Sequence, residues 1–149
     1  MKGIGIMILI LGSSLSMCSQ HISMITPSDI KWISNGEELS LKTAVNNGIF
    51  LPEEISLELY FDRKELARYD FSELNFDFEW YYYSSTELEY VTTYSVFSEQ
   101  IEFQRNGTYL ISSTYSALKK GWWEVKIVAR IDEGLIEFGN MSKFQIFIK

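Results

Sequence analysis

Alternation of apolar and polar residues with a period of two is the dominant pattern of the chain. Ile55, Leu57, Leu59 and Phe61 fall on one side, with Ser56, Glu58 and Tyr60 on the other. Leu74, Phe76, Phe78, Trp80 and Tyr82 alternate with Asn75, Asp77, Glu79, Tyr81 and Tyr83. Trp123, Val125, Ile127, Ala129 and Ile131 alternate with Glu124, Lys126 and Arg130, and Phe144, Ile146 and Ile148 with Lys143, Gln145 and Lys149. Successive side chains of a strand point to opposite faces, so each run predicts a strand with one core face and one wet face. Shorter runs predict further strands over 30–33, 88–97, 101–104 and 109–115.

Turn signals separate these runs: Asn35-Gly36, Asn46-Asn47-Gly48, Ser84-Ser85-Thr86, Asn106-Gly107, Lys119-Lys120-Gly121, Asp132-Glu133-Gly134 and Gly139-Asn140. Asn106-Gly107, between Gln104 and Tyr109, predicts a tight hairpin. The one helix-like piece is 62–69, where Arg63, Lys64, Glu65, Leu66 and Ala67 are good helix formers. Seven to eight short strands without a long helix predict an all-β fold, an antiparallel β-sandwich, with a small barrel as the alternative. One-sided alternation favours antiparallel sheets, because parallel strands are apolar on both faces. With no internal repeat and no composition break, residues 29–149 form one domain.

Composition narrows the function. Thirteen basic against twenty acidic residues give a formal charge of −7. A nucleic-acid binder needs many Lys and Arg to displace counterions, so no nucleic-acid partner is expected. The apolar and aromatic content argues against disorder. The single Cys precludes an intrachain disulfide, and the single His precludes any metal site needing two.

The amino terminus reads as an address. Lys2 supplies a positive n-region, 4–11 form a short h-region interrupted only by Gly5, and Gly12, Ser13 and Ser14 follow. The apolar run is far shorter than the roughly 20 residues that a membrane-spanning helix needs. Leu15-Ser16-Met17-Cys18 then resembles the lipobox of bacterial lipoproteins: Leu15, Ser16 and Cys18 match, while Met17 stands where Gly, Ala or Ser is usual. The resemblance covers the first eighteen residues and implies removal of 1–17, a diacylglyceryl thioether on the Cys18 sulfur and a further fatty-acyl (palmitate-type) chain on its new amino group. An ordinary secretory signal, cleaved near Ser16 to Ser19, is the alternative. Each buried methylene contributes about 0.8 kcal/mol, so several chains hold where one is marginal. Ser19, rather than Asp, at the second mature position favours export beyond the inner membrane under the family's sorting rule. Residues 18–28 are an unpatterned tether, of which ten residues span at most about 35 Å. His21 lies in it as a bystander.

The stretch Gly121-Trp122-Trp123-Glu124-Val125-Lys126-Ile127, with Asp132-Glu133-Gly134 and Phe144-Gln145-Ile146, resembles the closing strands of bacterial immunoglobulin-like domains. It lacks the cysteine pair of antibody-type domains. The resemblance implies an immunoglobulin-like sandwich and speaks only to fold, because that architecture hosts many functions.

Catalytic constellations are sparse. A Ser or Cys nucleophile needs a base in reach, yet the one His and the one Cys lie in or beside the tether, so no catalytic residue, cofactor or metal is expected. Asp77 and Glu79 share a strand face about 7 Å apart, a separation within the inverting-glycosidase range, but a solvated strand face is the better reading, since nothing in the sequence raises either pKa. Asp132-Glu133-Gly134 lacks the alternating oxygen ligands of a calcium loop and reads as a turn. The aromatics carry more. If Trp80, Tyr82 and Trp123 fill the core, Tyr81, Tyr83 and Trp122 point outward, and Tyr60 and Tyr90 extend the patch. Such amphipathic rings are enriched at interfaces and also stack on sugars; cross-strand aromatic pairing is the structural alternative. The expected function is a non-enzymatic binding or assembly module, lipid-anchored through Cys18 to the bilayer of a bacterial cell envelope. The outer membrane is favoured if the organism has one, and an envelope protein or glycan would meet Tyr81, Tyr83 and Trp122. The rivals are a small glycan-acting enzyme using Asp77 and Glu79, and a spacer lipoprotein without a ligand.

Overall fold

The two strongest alternating runs become facing strands. In the computed structural model, which describes residues 24–131, 134–138 and 142–149, β4 (Ile55–Asp62) fully buries Ile55, Leu57, Leu59 and Phe61. Opposite it, β5 (Leu74–Tyr83) buries Leu74, Phe76, Phe78 and Trp80. β4 lies between β2 (Asp29–Ser34) and β8 (Thr108–Tyr115) in a five-stranded sheet that ends in β3 (Glu37–Leu39) and β7 (Glu102–Phe103). β5 lies between β6 (Leu88–Phe97) and β9 (Gly121–Ile131) in a six-stranded sheet. The far side of β9 is shared: β10 (Gly134–Phe138) pairs its C-terminal half and β11 (Lys143–Ile148) its N-terminal half. All pairings within the two sheets are antiparallel except the edge contact of β1 (Met24–Ile25) with β10.

The inner faces meet through large rings. Trp32 and Trp80 cross edge-on at 6.1 Å, Phe61 and Phe76 pack at 5.5 Å, and Tyr115 lies 5.4 Å from Trp80 and 5.3 Å from Trp123. The Trp80 indole N–H, unable to reach water, donates to Ser113 Oγ at 3.0 Å, so the buried donor is satisfied.

Among the described residues the strands number eleven rather than seven to eight. The additional ones are β1, β3 and β10, each too short or too acidic to show a period. β3 exists because Asn35 (φ 48°) and Gly36 (φ 82°) make a two-residue turn with both φ positive, the geometry that returns a strand tightly on itself. The expected Asn106-Gly107 hairpin is present, with Gly107 N–H donating to Gln104 O at 3.0 Å. Within 62–69 a single turn, α2 (Arg63–Leu66), is helical and buries Leu66. A second helix, α1 (Leu41–Asn46), was not read from the sequence; Ser40 Oγ caps it by accepting from Thr43 N–H at 3.0 Å. Gly48 follows it at φ +64°, where a Cβ would stand 2.7 Å from the Phe147 ring.

Met24 and Ile25, read as tether, already belong to the sheet: they pair with Glu137 and Phe138, and Ile25 is fully buried. The sandwich therefore reaches at least to Met24 instead of beginning at residue 29. The signal segment, Cys18 and His21 lie outside the described residues.

Ser113→Ala is expected to strand the Trp80 indole N–H and cost about 1–3 kcal/mol. Urea unfolding checks this: the midpoint should fall while the slope stays unchanged.

Candidate functional site

The outer face of the β5–β9 sheet gathers the chemistry. Because β5 and β9 pair antiparallel, Tyr83 sits opposite Trp122, Tyr81 opposite Glu124, and Glu79 opposite Lys126. β11 sets Phe147 beside Trp122 and Gln145 beside Glu124, while β6 sets Leu88 beside Tyr83 and Tyr90 beside Tyr81. Two cross-strand rows result. One is apolar, running Phe147, Trp122, Tyr83, Leu88. The other runs Gln145, Glu124, Tyr81, Tyr90.

Tyr81, Tyr83 and Trp122, singled out from the sequence, do point outward and stand on neighbouring positions. Tyr90 joins them, 61% exposed and edge-on to Tyr81 at 5.8 Å. Tyr60 does not: it lies on β4, in the opposite sheet, because sequence periodicity assigns a face but not a sheet. Phe147, which packs on Trp122 at 5.0 Å, and Leu88 extend the patch unread. Their signal was present in the alternation of β11 and β6, but only the register shows which strands are neighbours.

A polar network lies beneath the rings. Glu124 is only 4% exposed; its Oε2 accepts from Tyr83 Oη at 3.1 Å and from Gln145 Nε2 at 2.9 Å. A carboxylate removed from water is costly unless hydrogen-bonded, so these donors hold Glu124 in place and Glu124 in turn holds the Tyr83 ring. Tyr81 Oη likewise donates to Glu79 at 2.9 Å, and Lys126 approaches Glu79 at 3.5 Å. Burial raises the Tyr81 and Tyr83 phenols above their ordinary value, reinforced by the hydrogen bonds to Glu79 and Glu124, so both remain donors.

Asp77 and Glu79 do share a face, but each is tied to a cation on β9. Arg130 Nε donates to Asp77 at 2.8 Å, and Ser95 Oγ to its other oxygen at 2.6 Å. On an open sheet, paired in this way, they are struts between strands. Asp132 and Glu133 lie outside the described residues. Among the described residues, no three His, Cys, Asp or Glu side chains cluster as a metal site would require.

The relief is shallow. Tyr83, Trp122 and Gln145 line a depression of about 280 Å³. Gln145 also borders a second, of about 270 Å³, with Leu41, Val45, Glu124, Lys143 and Phe144. Both fall below the roughly 300–1,000 Å³ usual for enclosed small-molecule sites. The geometry suits a surface that meets another surface.

The phenols of Tyr60, Tyr69, Tyr81 and Tyr83 are all raised, chiefly by burial. The folded state thus keeps protons that the unfolded chain releases near pH 10. Stability from these groups is complete below about pH 10 and is lost as pH rises beyond it. Alkaline denaturation, followed with phenolate absorbance, should show the loss, and Tyr60→Phe should make it shallower. Comparison with protein-family models and with curated proteins finds no match.

Proposed function

We propose that this protein is a lipid-anchored module of a bacterial cell envelope that binds a partner and catalyses no reaction. The observation that carries the reading is the outward aromatic face: Tyr81, Tyr83 and Trp122 in adjacent cross-strand positions, extended by Phe147, Leu88 and Tyr90. Rings of this kind bury large area at low entropic cost while a polar tip stays satisfied. Here the Tyr83 and Tyr81 hydroxyls are held by Glu124 and Glu79, so the rings are ordered before any partner arrives. Preorganisation of that sort reduces the cost of association. A flat, firm, partly apolar surface favours an envelope protein over a small ligand, with a glycan as the second candidate.

The anchor reading rests on the lipobox-like Leu15-Ser16-Met17-Cys18. Among the described residues, no helix is long and apolar enough to cross a membrane. β1 runs parallel to β10, whose Ile136 faces Ala129, while Trp122 lies toward the opposite end of β9. At about 3.3 Å per residue, that offset is about 20 Å. The chain arrives at Met24 heading toward the Trp122 end of β9.

Two experiments test the reading. Metabolic labelling with an alkyne fatty acid should mark the wild-type protein and leave Cys18→Ala unmarked; equal labelling, or none in either, discards the anchor. Affinity capture from envelope extracts with the full chain should lose its partner, by about tenfold or more, in Tyr81→Ala and Trp122→Ala. Unchanged recovery with both variants discards the patch.

A further inference from the structure

A sheet edge offers unpaired N–H and C=O groups to any passing strand, and folded proteins shorten, charge or cover such edges. Here most of the borders are short, acidic or covered. β1 and β7 are two residues long, and β3 is three, with Glu37 and Glu38 among them. β11 is covered: Ile49 N–H donates to Phe147 O at 2.9 Å, Lys149 N–H donates back to Ile49 O at 2.8 Å, and α1 packs alongside. β6 is the longest border left open; residues 111–115 of β8 also have no strand beyond them, and the two borders approach each other, with Tyr94 6.5 Å from Tyr115. β6 runs for ten residues, pairs with β5 on one side, and has no strand on the other among the described residues.

The composition of β6 makes the omission conspicuous. Its sequence is Leu88-Glu89-Tyr90-Val91-Thr92-Thr93-Tyr94-Ser95-Val96-Phe97, with one charge and neither Pro nor Gly. Among the described residues, ten large hydrophobic side chains are exposed, and four of them (Leu88, Tyr90, Tyr94 and Phe97) stand on this strand. A register shift opposite Trp80 and Tyr81 leaves Thr92–Phe97 as an uninterrupted, uncharged run of strong strand formers.

We infer that β6 is a pairing edge and that its occupant is a second copy of this chain, joined antiparallel across a twofold axis perpendicular to the sheet. Charge is the first argument. Apart from Glu89, β6 offers nothing to attract a basic strand, and a chain of formal charge −7 pairs with itself only along edges that carry no facing acids. The run 92–97 of a second copy satisfies this condition, since Glu89 lies outside it. Facing is the second. With Tyr94 opposite its own counterpart, Thr93 meets Ser95 on the outer face and Thr92 meets Val96 on the inner face, so no side chain is forced across the sheet. Closure is the third: twofold pairing consumes both edges at once and leaves none to propagate a fibre. The two six-stranded sheets then form one continuous sheet, with the Tyr90 ends of both aromatic faces near its centre. The inference does not rest on the lipid anchor or on the aromatic face binding a partner.

The test is sedimentation velocity on the full chain carrying Cys18→Ala, which removes the only thiol and the acylation site, combined with hydrogen exchange. The expected result is a monomer–dimer equilibrium that shifts with concentration, and slowing of exchange at the Thr92–Phe97 amides as the dimer forms. Thr93→Lys combined with Ser95→Lys sets lysines opposite each other across the axis and should weaken the dimer at least about tenfold, with circular dichroism unchanged. Trp122→Ala should leave association intact, which separates this inference from the partner-binding reading. Should the double variant lose its fold, the concentration dependence of wild-type exchange still decides. A monomer at every concentration overturns the inference, as does a dimer with unslowed β6 amides or β6 protection that arises only when a different protein is added.

Discussion

The structure depends on a layer of aromatic rings clasped between two sheets. Trp32 from one sheet and Trp80 from the other cross at 6.1 Å, and Tyr115 bridges Trp80 to Trp123. Such side chains bury the largest areas a residue can, at roughly 25 cal/mol for each Å² taken from water. They also demand that every strand keep its register, because a slip of one residue would turn each ring to solvent. The period-two pattern is the form that demand takes in the sequence. The Trp80 to Ser113 hydrogen bond is its polar counterpart, placing the indole at one height in the core.

Fixing the inner face also fixes the outer one. Once Trp80, Trp123 and Ile146 are inside, Tyr81, Tyr83, Trp122 and Phe147 have nowhere to go but out, and pairing of β5, β9 and β11 lines them up. The surface aromatics are therefore ordered by the core and then locked by a buried carboxylate. Glu124 accepts from Tyr83 and Gln145, so two strands that flank β9 are tied to it through one side chain. Asp77 with Arg130, and Glu79 with Lys126, repeat the tie further along, on the exposed side where such pairs are worth about a kcal/mol or less. A face braced in this way is rigid enough to present a pattern.

Edges complete the picture. α1, the Ile49 bridge and three very short strands shield parts of the borders, whereas no strand pairs with β6 beyond β5 among the described residues. A protein that protects most of its edges and leaves a ten-residue, nearly uncharged one open has an asymmetry with consequences for assembly. That border adjoins the aromatic face through Leu88 and Tyr90, so pairing along β6 would bring two such faces together in one sheet.

By itself the sequence determined the sandwich, the four principal strands, their buried sides, the outward direction of Tyr81, Tyr83 and Trp122, and the Asn106-Gly107 hairpin. All of these are encoded within a few residues: alternation sets a face, and Asn-Gly sets a turn. The lipobox-like signal is local in the same sense, legible as a string whatever the domain does. Tertiary structure alone decided the neighbours. Tyr60 and Tyr81 have the same alternation and the same outward aim, yet they stand on opposite sheets. Phe147 and Glu124 entered the candidate site only through the pairing of β11 and β5 with β9. β1, too short to show any period, became a strand because β10 offered it an edge, and α1 formed where Ser40 capped it against β11. Strand pairing joins residues far apart in the chain and is chosen by the packing of the whole core, so no window of sequence contains it.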